Sequence, residues 1–375
     1  CVIAGDGGVG KSSLIKILSS SVGIPLVLTP TGKAAVRVTE ATGLDACTVH
    51  RWLYKPVEVN GGLKFVRRQM IDIIPPKSKL VVIDEASMVN SKMWADVRDV
   101  CKFHGLTVVL VGDPFQLPPV NDEFSVFADS FRHDEKVMLT EIMRQAAESP
   151  VIRASMKVRE GDVRGGLAEL KNIDSRYLVQ AATKVFEAGG VVICHRNVTR
   201  HNLNNDVRNC LGKNPNEVEV GEPILVLKNN YEIGFMNGEV VSFPGWEEDF
   251  CDSPTYRGQQ FYSTTVGEET LNFGRTRLNH SDVRLAKEEL FGTSKSTISD
   301  IARASGRLNN IDGIDVSHLH ANLGYVLTCH KVQGSQYSVI LIVIENSVNT
   351  RSEDGRRWMY TAITRAIDRV AYTYS

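Results

Sequence analysis

The stretch that most constrains this chain runs from Gly5 to Ser13, "GDGGVGKSS". It fits the pattern G-x-x-x-x-G-K-[ST] between an apolar run, "CVIA", and a segment with helical spacing, "SSLIKILSS". A strand that turns into a helix through glycines brings several backbone N–H groups together at a helix N-terminus, which makes a cradle for phosphate. Gly5, Gly7, Gly8 and Gly10 allow backbone conformations that a side chain forbids, and Val9 and Ser13 complete the loop. Lys11 is placed to reach the β- and γ-phosphates of a nucleoside triphosphate. Ser12 is placed to offer its hydroxyl oxygen to Mg²⁺.

Further apolar runs end in polar residues. "PLVL" leads into "TPTGKAA", "KLVVI" into Asp84-Glu85, and "LTVVLV" into Gly112-Asp113 with Gln116 just beyond. Runs this apolar suit parallel strands covered on both faces. In such sheets ligands bind at the carboxyl ends of the strands. The polar residues therefore belong on the edge that carries the phosphate loop. There Asp84 is expected to hold the Mg²⁺ shell, Glu85 to orient or deprotonate an attacking water, and Gln116 to sense the γ-phosphate. The alternation restarts near residue 185 with "GGVVIC", the helix-like "RHNLNNDVRNCLG", "LGYVLT", "SVILIVI", the helix-like "RRWMYTAITRAI" and "RVAYTY". This second α/β lobe has no phosphate loop, so a cleft shared by the two lobes is expected. Arg144 in "LTEIMRQ" and Arg365 in "TAITRA" are the candidate arginine fingers.

Composition sets outer bounds. With 375 residues, 42% of them hydrophobic, the chain can bury more than one core. No apolar run reaches membrane-spanning length and no signal peptide is visible, so a cytoplasmic protein without a membrane role is expected. The seven cysteines are scattered without a C-x-x-C pair, which speaks for a reducing compartment and against structural zinc. A net charge of −1 provides no global basic field, so any nucleic-acid track has to be local. The chain opens inside a strand without Met, and its gene is expected to extend upstream.

Taken in order, "GDGGVGKSS", "LTPTGKAA", "TVHRWL", "VIDEASM", "VLVGDPFQLPPV", "LTEIMRQ", "GYVLTCHKVQGSQ" and "YTAITRA" resemble motifs I, Ia, Ib, II, III, IV, V and VI of superfamily 1 helicases of the RecD/Dda type. The resemblance runs from residue 5 to 375, with little of it between 245 and 315. It implies two RecA-like lobes that bind ATP and Mg²⁺. It also implies 5′→3′ movement on single-stranded DNA with duplex unwinding in replication, recombination or repair. Expected partners are single-stranded DNA, duplex junctions and single-strand-binding or replisome proteins, with the monomer functional. The Dda-like pattern hints at a phage-encoded protein working in the host cytoplasm. The implied division is lobe 1A in 1–53 and 80–150, a hairpin insertion 1B in 54–79, lobe 2A in 151–224 and 318–375, and an SH3-like insertion 2B in 225–317. Gly334 of motif V joins the nucleotide set. Gln336 stands where the family often has Glu, so a ribose contact is not carried over. The adenine-recognising glutamine segment upstream of motif I is absent from this sequence.

The resemblance also gives a nucleic-acid track: Pro30, Thr31 and Lys33 in motif Ia, Thr48 and His50 in motif Ib, and Thr328, His330 and Lys331 in motif V. Hydroxyls and backbone N–H groups can hold phosphates without reading sequence. His50 either stacks on a base or touches the backbone. Asn60-Gly61-Gly62 reads as a hairpin turn, with Lys64, Arg67 and Arg68 making the hairpin basic. Phe65 either parts the duplex as an apolar pin or packs under its own hairpin. Two rival readings remain: an RNA helicase of the same superfamily, and a P-loop ATPase that binds or remodels its partner without unwinding.

Overall fold

The computed structural model describes residues 1–5, 9–59, 62–119, 122, 127, 135–139, 149–213, 219–226, 238–243, 255–256, 259–266, 269–274 and 321–375. The first part of the chain lays down β1 (Val2–Gly5), β2 (Leu26–Thr29), β3 (Ala46–Thr48), β4 (Tyr54–Val59), β5 (Gly62–Arg67), β6 (Leu80–Ile83), β7 (Thr107–Gly112) and β8 (Lys136–Leu139). All but β4 and β5 form a six-stranded sheet in the order β3-β2-β6-β7-β1-β8, each neighbouring pair parallel. Alternate residues feed two cores. Val2, Ala4, Leu28, Val81 and Ile83 pack with Leu53, Val97 and Val100 on one face. Ile3, Val27, Val82, Val109 and Val111 pack with Ile15 and Val38 on the other. Burial on both faces is why these strands read as continuous apolar runs.

Helices Lys11–Val22, Gly32–Thr42, Val49–Leu53 and Ser91–His104 link these strands. Polar side chains set three of the starts. The side chains of Thr31, Thr48 and Asn90 accept from the backbone N–H of Ala34, Arg51 and Met93. β4 and β5 pair as a separate hairpin. Its expected turn residues Asn60 and Gly61 lie outside the described residues. Arg67 does not add free positive charge to this hairpin. It sits 2.7 Å from Asp96 and 3.3 Å from Asp99, so helix Ser91–His104 neutralises it.

The later part of the chain forms β9 (Lys171–Asn172), β10 (Val191–Cys194), β11 (Pro223–Val226), β12 (Val240–Ser242), β13 (Thr255–Tyr256), β14 (Gln259–Val266), β15 (Glu269–Gly274), β16 (Ala321–Leu323), β17 (Val326–Thr328), β18 (Tyr337–Ile344) and β19 (Ala366–Tyr374). A second sheet has the order β17-β10-β18-β19-β9 and runs parallel from β10 to β9. Helix Glu353–Ile363 starts at Ser352, whose side chain accepts from the Gly355 N–H, and it buries every residue from Trp358 to Ile363. β11 pairs antiparallel with β12 and β16, and β14 pairs antiparallel with β13 and β15.

Two segments differ from their expected form. "LGYVLT" is not one strand: β16 lies beside β11, while β17 lies beside β10 in the parallel sheet. Gly324 makes the break, since a Cβ there would stand 3.3 Å from the backbone of both Leu225 and Pro223. The "RRWMYTAITRAI" helix stops at Ile363, and β19 starts at Ala366. By its contacts the chain divides into a unit of 1–55, 66–195 and 327–375, which holds both parallel sheets, and a unit of 56–65 and 196–326. The expected boundary between 224 and 225 falls inside β11.

Candidate active site

β1 lies between β7 and the edge strand β8, so the phosphate loop leaves the sheet one strand in from its edge. Gly5 has to be glycine: a Cβ there would lie 2.6 Å from Val9 Cγ2 and 3.0 Å from Leu139 Cβ. Gly10 adopts φ 86, in the left-handed region, and caps the helix that starts at Lys11. The Lys11 ammonium donates to the Gly5 carbonyl at 2.7 Å. Ser12 is half-buried and Ser13 exposed at the first turn. Gly7 and Gly8 lie outside the described residues.

The carboxyl ends of β6 and β7 add the acidic and amide groups. Asp84 is 2% exposed, Glu85 4% and Gln116 4%. Burial and the adjacent Glu85 push the Asp84 carboxyl up to about 6, against the pull of Arg37 and Lys11. Burial also works to raise Glu85, but Arg37, Arg365 and Lys11 together hold it below the usual carboxylate value. Glu85 is one of the described non-glycine residues with positive φ, at 52. Such a backbone costs about 1–3 kcal/mol and persists where the surroundings fix it.

The second sheet contributes to the same place. Arg365 lies at the end of helix Glu353–Ile363, 3% exposed, with Nε donating to the Thr361 carbonyl at 3.2 Å. Its charge is felt at Glu85. The Asp113–Leu117 segment after β7 is pinned from that helix. Tyr360 OH donates to Asp113 Oδ2 at 2.6 Å, and Leu117 N donates to Thr361 Oγ1 at 2.9 Å. Arg357 Nη1 donates to the Pro114 carbonyl at 2.7 Å, and Gln333 Nε2 to the Leu117 carbonyl at 3.0 Å. Sequence reasoning missed Arg37, Arg357, Tyr360 and Gln333 as neighbours of the site. Arg144 lies outside the described residues.

Three buried polar atoms here lack a hydrogen-bond partner among the described residues: Glu85 Oε2, Gln116 Oε1 and Arg365 Nη1. Buried polar groups are normally paired, so such orphans need a partner from elsewhere. Two acceptors and a cationic donor, beside a glycine cradle and an ammonium, suit a hydrated phosphate chain with a divalent cation. The residues fit that group.

The proposed track residues are placed as follows. Thr31 Oγ1 accepts from Ala34 N at 3.3 Å, and Thr48 Oγ1 accepts from Arg51 N at 3.0 Å. Capping uses the oxygen as acceptor and leaves the hydroxyl proton to donate. Pro30 and Lys33 are half-buried beside them. Gly334, at φ 76, packs on this cap; a Cβ there would lie 2.9 Å from Thr31 Oγ1. The His50 ring centroid lies 4.7 Å from that of Tyr54, and burial lowers the His50 pKa. Thr328 is 7% exposed. His330 is half-buried beside Lys331, its pKa lowered by burial and then by His195 and Lys331. Phe65 is half-buried in β5.

Comparison with known proteins agrees with this arrangement. The AAA-domain family matches residues 1–184, and the UvrD-like helicase C-terminal domain family matches residues 323–371. The ATP-dependent RecD2 DNA helicase of Deinococcus radiodurans is 27% identical over 387 aligned residues, 98% of this chain but only 46% of that protein. The chain thus spans about half the length of that relative. The structure of a Bacteroides Pif1 helicase in complex with ADP-AlF3 and single-stranded DNA superposes with a TM-score of 0.52 at 18% identity, covering 99% of this chain and 87% of that one. At that identity the likeness is one of fold. An AAA-type first sheet with its phosphate loop, followed by a UvrD-like helicase C-terminal match over the second sheet, is similar to the arrangement that the motif order implies for RecD-like superfamily 1 helicases.

Proposed function

We propose that the chain is the motor of an ATP-dependent DNA helicase that moves 5′→3′ on single-stranded DNA and opens duplex at junctions. One observation carries this reading: the helix that leads to Arg365, from the second sheet, bonds through Tyr360 and Thr361 to the Asp113–Leu117 segment at the edge of the first. A nucleotide between such groups couples its hydrolysis to the fit between two sheets. When bound, ATP with Mg²⁺ supplies the phosphoanhydride whose cleavage drives movement. Gly5, Gly7, Gly8, Val9, Gly10, Lys11 and Ser13 cradle the phosphates, and Ser12 and Asp84 hold the cation. Glu85 takes a proton from, or orients, the attacking water. Gln116 senses the γ-phosphate, and Gly334 joins the residues that bind the nucleotide. Arg365, joined by Arg144, stabilises charge that develops late.

Pro30, Thr31, Lys33, Thr48 and His50 hold the strand from one side, and Thr328, His330 and Lys331 from the other. A neutral His50 favours stacking over a charged backbone contact. Phe65 on the 1B hairpin parts the duplex. The division into 1A, 1B, 2A and an SH3-like 2B is part of this reading, with 2B beginning at β11. A functional monomer, single-strand-binding or replisome partners, and a phage-encoded origin with action in the cytoplasm belong to the same proposal. Among the described residues no helix is long and apolar enough to cross a membrane.

The test is strand displacement on 5′-tailed and 3′-tailed duplexes of DNA and of RNA, with and without ATP. The proposal requires ATP-dependent opening of the 5′-tailed DNA. Opening of RNA alone, or of 3′-tailed DNA alone, defeats it.

A further inference from the structure

Arg37 has no place in the roles given so far. It lies in helix Gly32–Thr42, and its Nη2 donates to Glu85 Oε1 at 2.5 Å. The pair is unevenly covered, with Arg37 side-chain exposure 29% and Glu85 5%. This bond occupies one carboxylate oxygen, and the other, Oε2, is buried without a partner among the described residues. The Glu85 backbone is itself fixed at φ 52. A carboxylate anchored through its main chain and through Oε1 has one oxygen left with which to accept a hydrogen. The helix that carries Arg37 is capped by Thr31, which lies against Gly334 on the second sheet's side of the unit.

We propose that Arg37 is a positioning residue for hydrolysis: it clamps Glu85 Oε1 so that Oε2 is the oxygen presented to the attacking water. The proposal rests on the reading of Glu85 as the water-activating carboxylate. A purely structural ion pair makes a different claim. Losing Arg37 then leaves a buried charge and costs stability, without a specific link to turnover. Positioning ties the loss to Glu85 itself, since a misplacement of about 1 Å can cost about 10²-fold in rate.

The experiment is a double-mutant cycle with Arg37→Gln, Glu85→Gln and the combination, each first checked for folding by thermal melting. Arg37→Lys keeps the charge and serves as the variant for which folding is safest. The readouts are ATPase kcat and KM at saturating single-stranded DNA, and direct titration with a fluorescent ATP analogue. Arg37→Gln is expected to lower kcat about 10–100-fold, the range for groups that orient a ligating or reacting residue. Analogue affinity stays within about twofold, and Arg37→Lys falls between parent and Arg37→Gln. In the Glu85→Gln background, Arg37→Gln adds less than about twofold, because both act through one carboxylate. Losses that multiply in the combination, a change confined to KM, or an unaltered kcat overturn the proposal. A parent protein without ATP turnover defeats the helicase reading and this proposal with it. An active parent unaffected by Arg37→Gln and Arg37→Lys removes this proposal alone.

Discussion

Glu85 and Glu222 are both buried glutamates paired with arginine, and they are finished very differently. Glu222 is 1% exposed, and both its oxygens are used. Arg208 grips it with Nε at 2.5 Å from Oε1 and Nη2 at 2.8 Å from Oε2. Tyr325 OH adds 2.7 Å to Oε1, and Glu219 N adds 2.6 Å to Oε2. Burial, and after it the bond to Glu222, pushes the Tyr325 hydroxyl pKa far above its usual value, so it stays a donor. Glu85 has Arg37 on one oxygen and no partner among the described residues on the other. A network that closes on itself specifies structure. An open one at a sheet edge awaits something from outside.

This contrast can be broken by measurement. The largest effect is expected at the open site: Lys11→Ala should reduce ATP turnover to background while leaving the melting temperature near that of the parent. Next, Arg365→Ala should lower DNA-stimulated kcat by about 10³-fold or more, the scale of an arginine finger, with KM for ATP little changed. A loss confined to KM would make Arg365 a binding group. At the closed site the effect should be on stability. Glu222→Gln removes the counter-charge of a buried Arg208, at a cost of about 3–5 kcal/mol in denaturant unfolding. Glu222→Leu combined with Arg208→Met and Tyr325→Phe should recover most of it, because apolar replacement of a whole buried polar cluster is often neutral. No such combination should restore turnover at Glu85. Tyr325→Phe should cost less, about 1–3 kcal/mol for one lost donor to a charged group.

The smallest effect concerns pH. Folding lowers the pKa of His330, through burial, His195 and Lys331. Below the unfolded value of about 6.5 the unfolded chain therefore binds more protons than the folded one, so stability falls as pH drops from there toward the folded value. His330→Gln should flatten the melting-temperature profile between about pH 7 and 5. An unchanged slope would assign that window to other groups, His50 among them.

What could be read from sequence had a local signature. Gly10, Lys11, Asp84, Glu85 and Gln116 sit where apolar runs end, and parallel strands put such ends on one edge. Arg365 was legible only from its motif. Arg37 lies 48 positions from Glu85, inside a helix where nothing in the 3.6-residue pattern marks it as a partner. Tyr360 and Asp113 meet across 247 positions, each looking locally like an ordinary core or strand-end residue. The left-handed backbone at Glu85 was equally hidden, because only glycine advertises that conformation. The break between β16 and β17 turned on a close approach of Gly324 to another strand, which no local pattern contains.

The 2.7 Å bond from Lys11 to the Gly5 carbonyl gives the phosphate loop an internal rival for its own ligand. An arriving triphosphate competes for that ammonium with an uncharged dipole a few atoms away. Ionic strength treats the two competitors unequally. At about 0.1 M salt, charge–charge attraction fades beyond roughly 10 Å, while a hydrogen bond already made to a neutral carbonyl barely responds. Rising salt would therefore slow the long-range approach of a triphosphate more than it weakens the bond to Gly5.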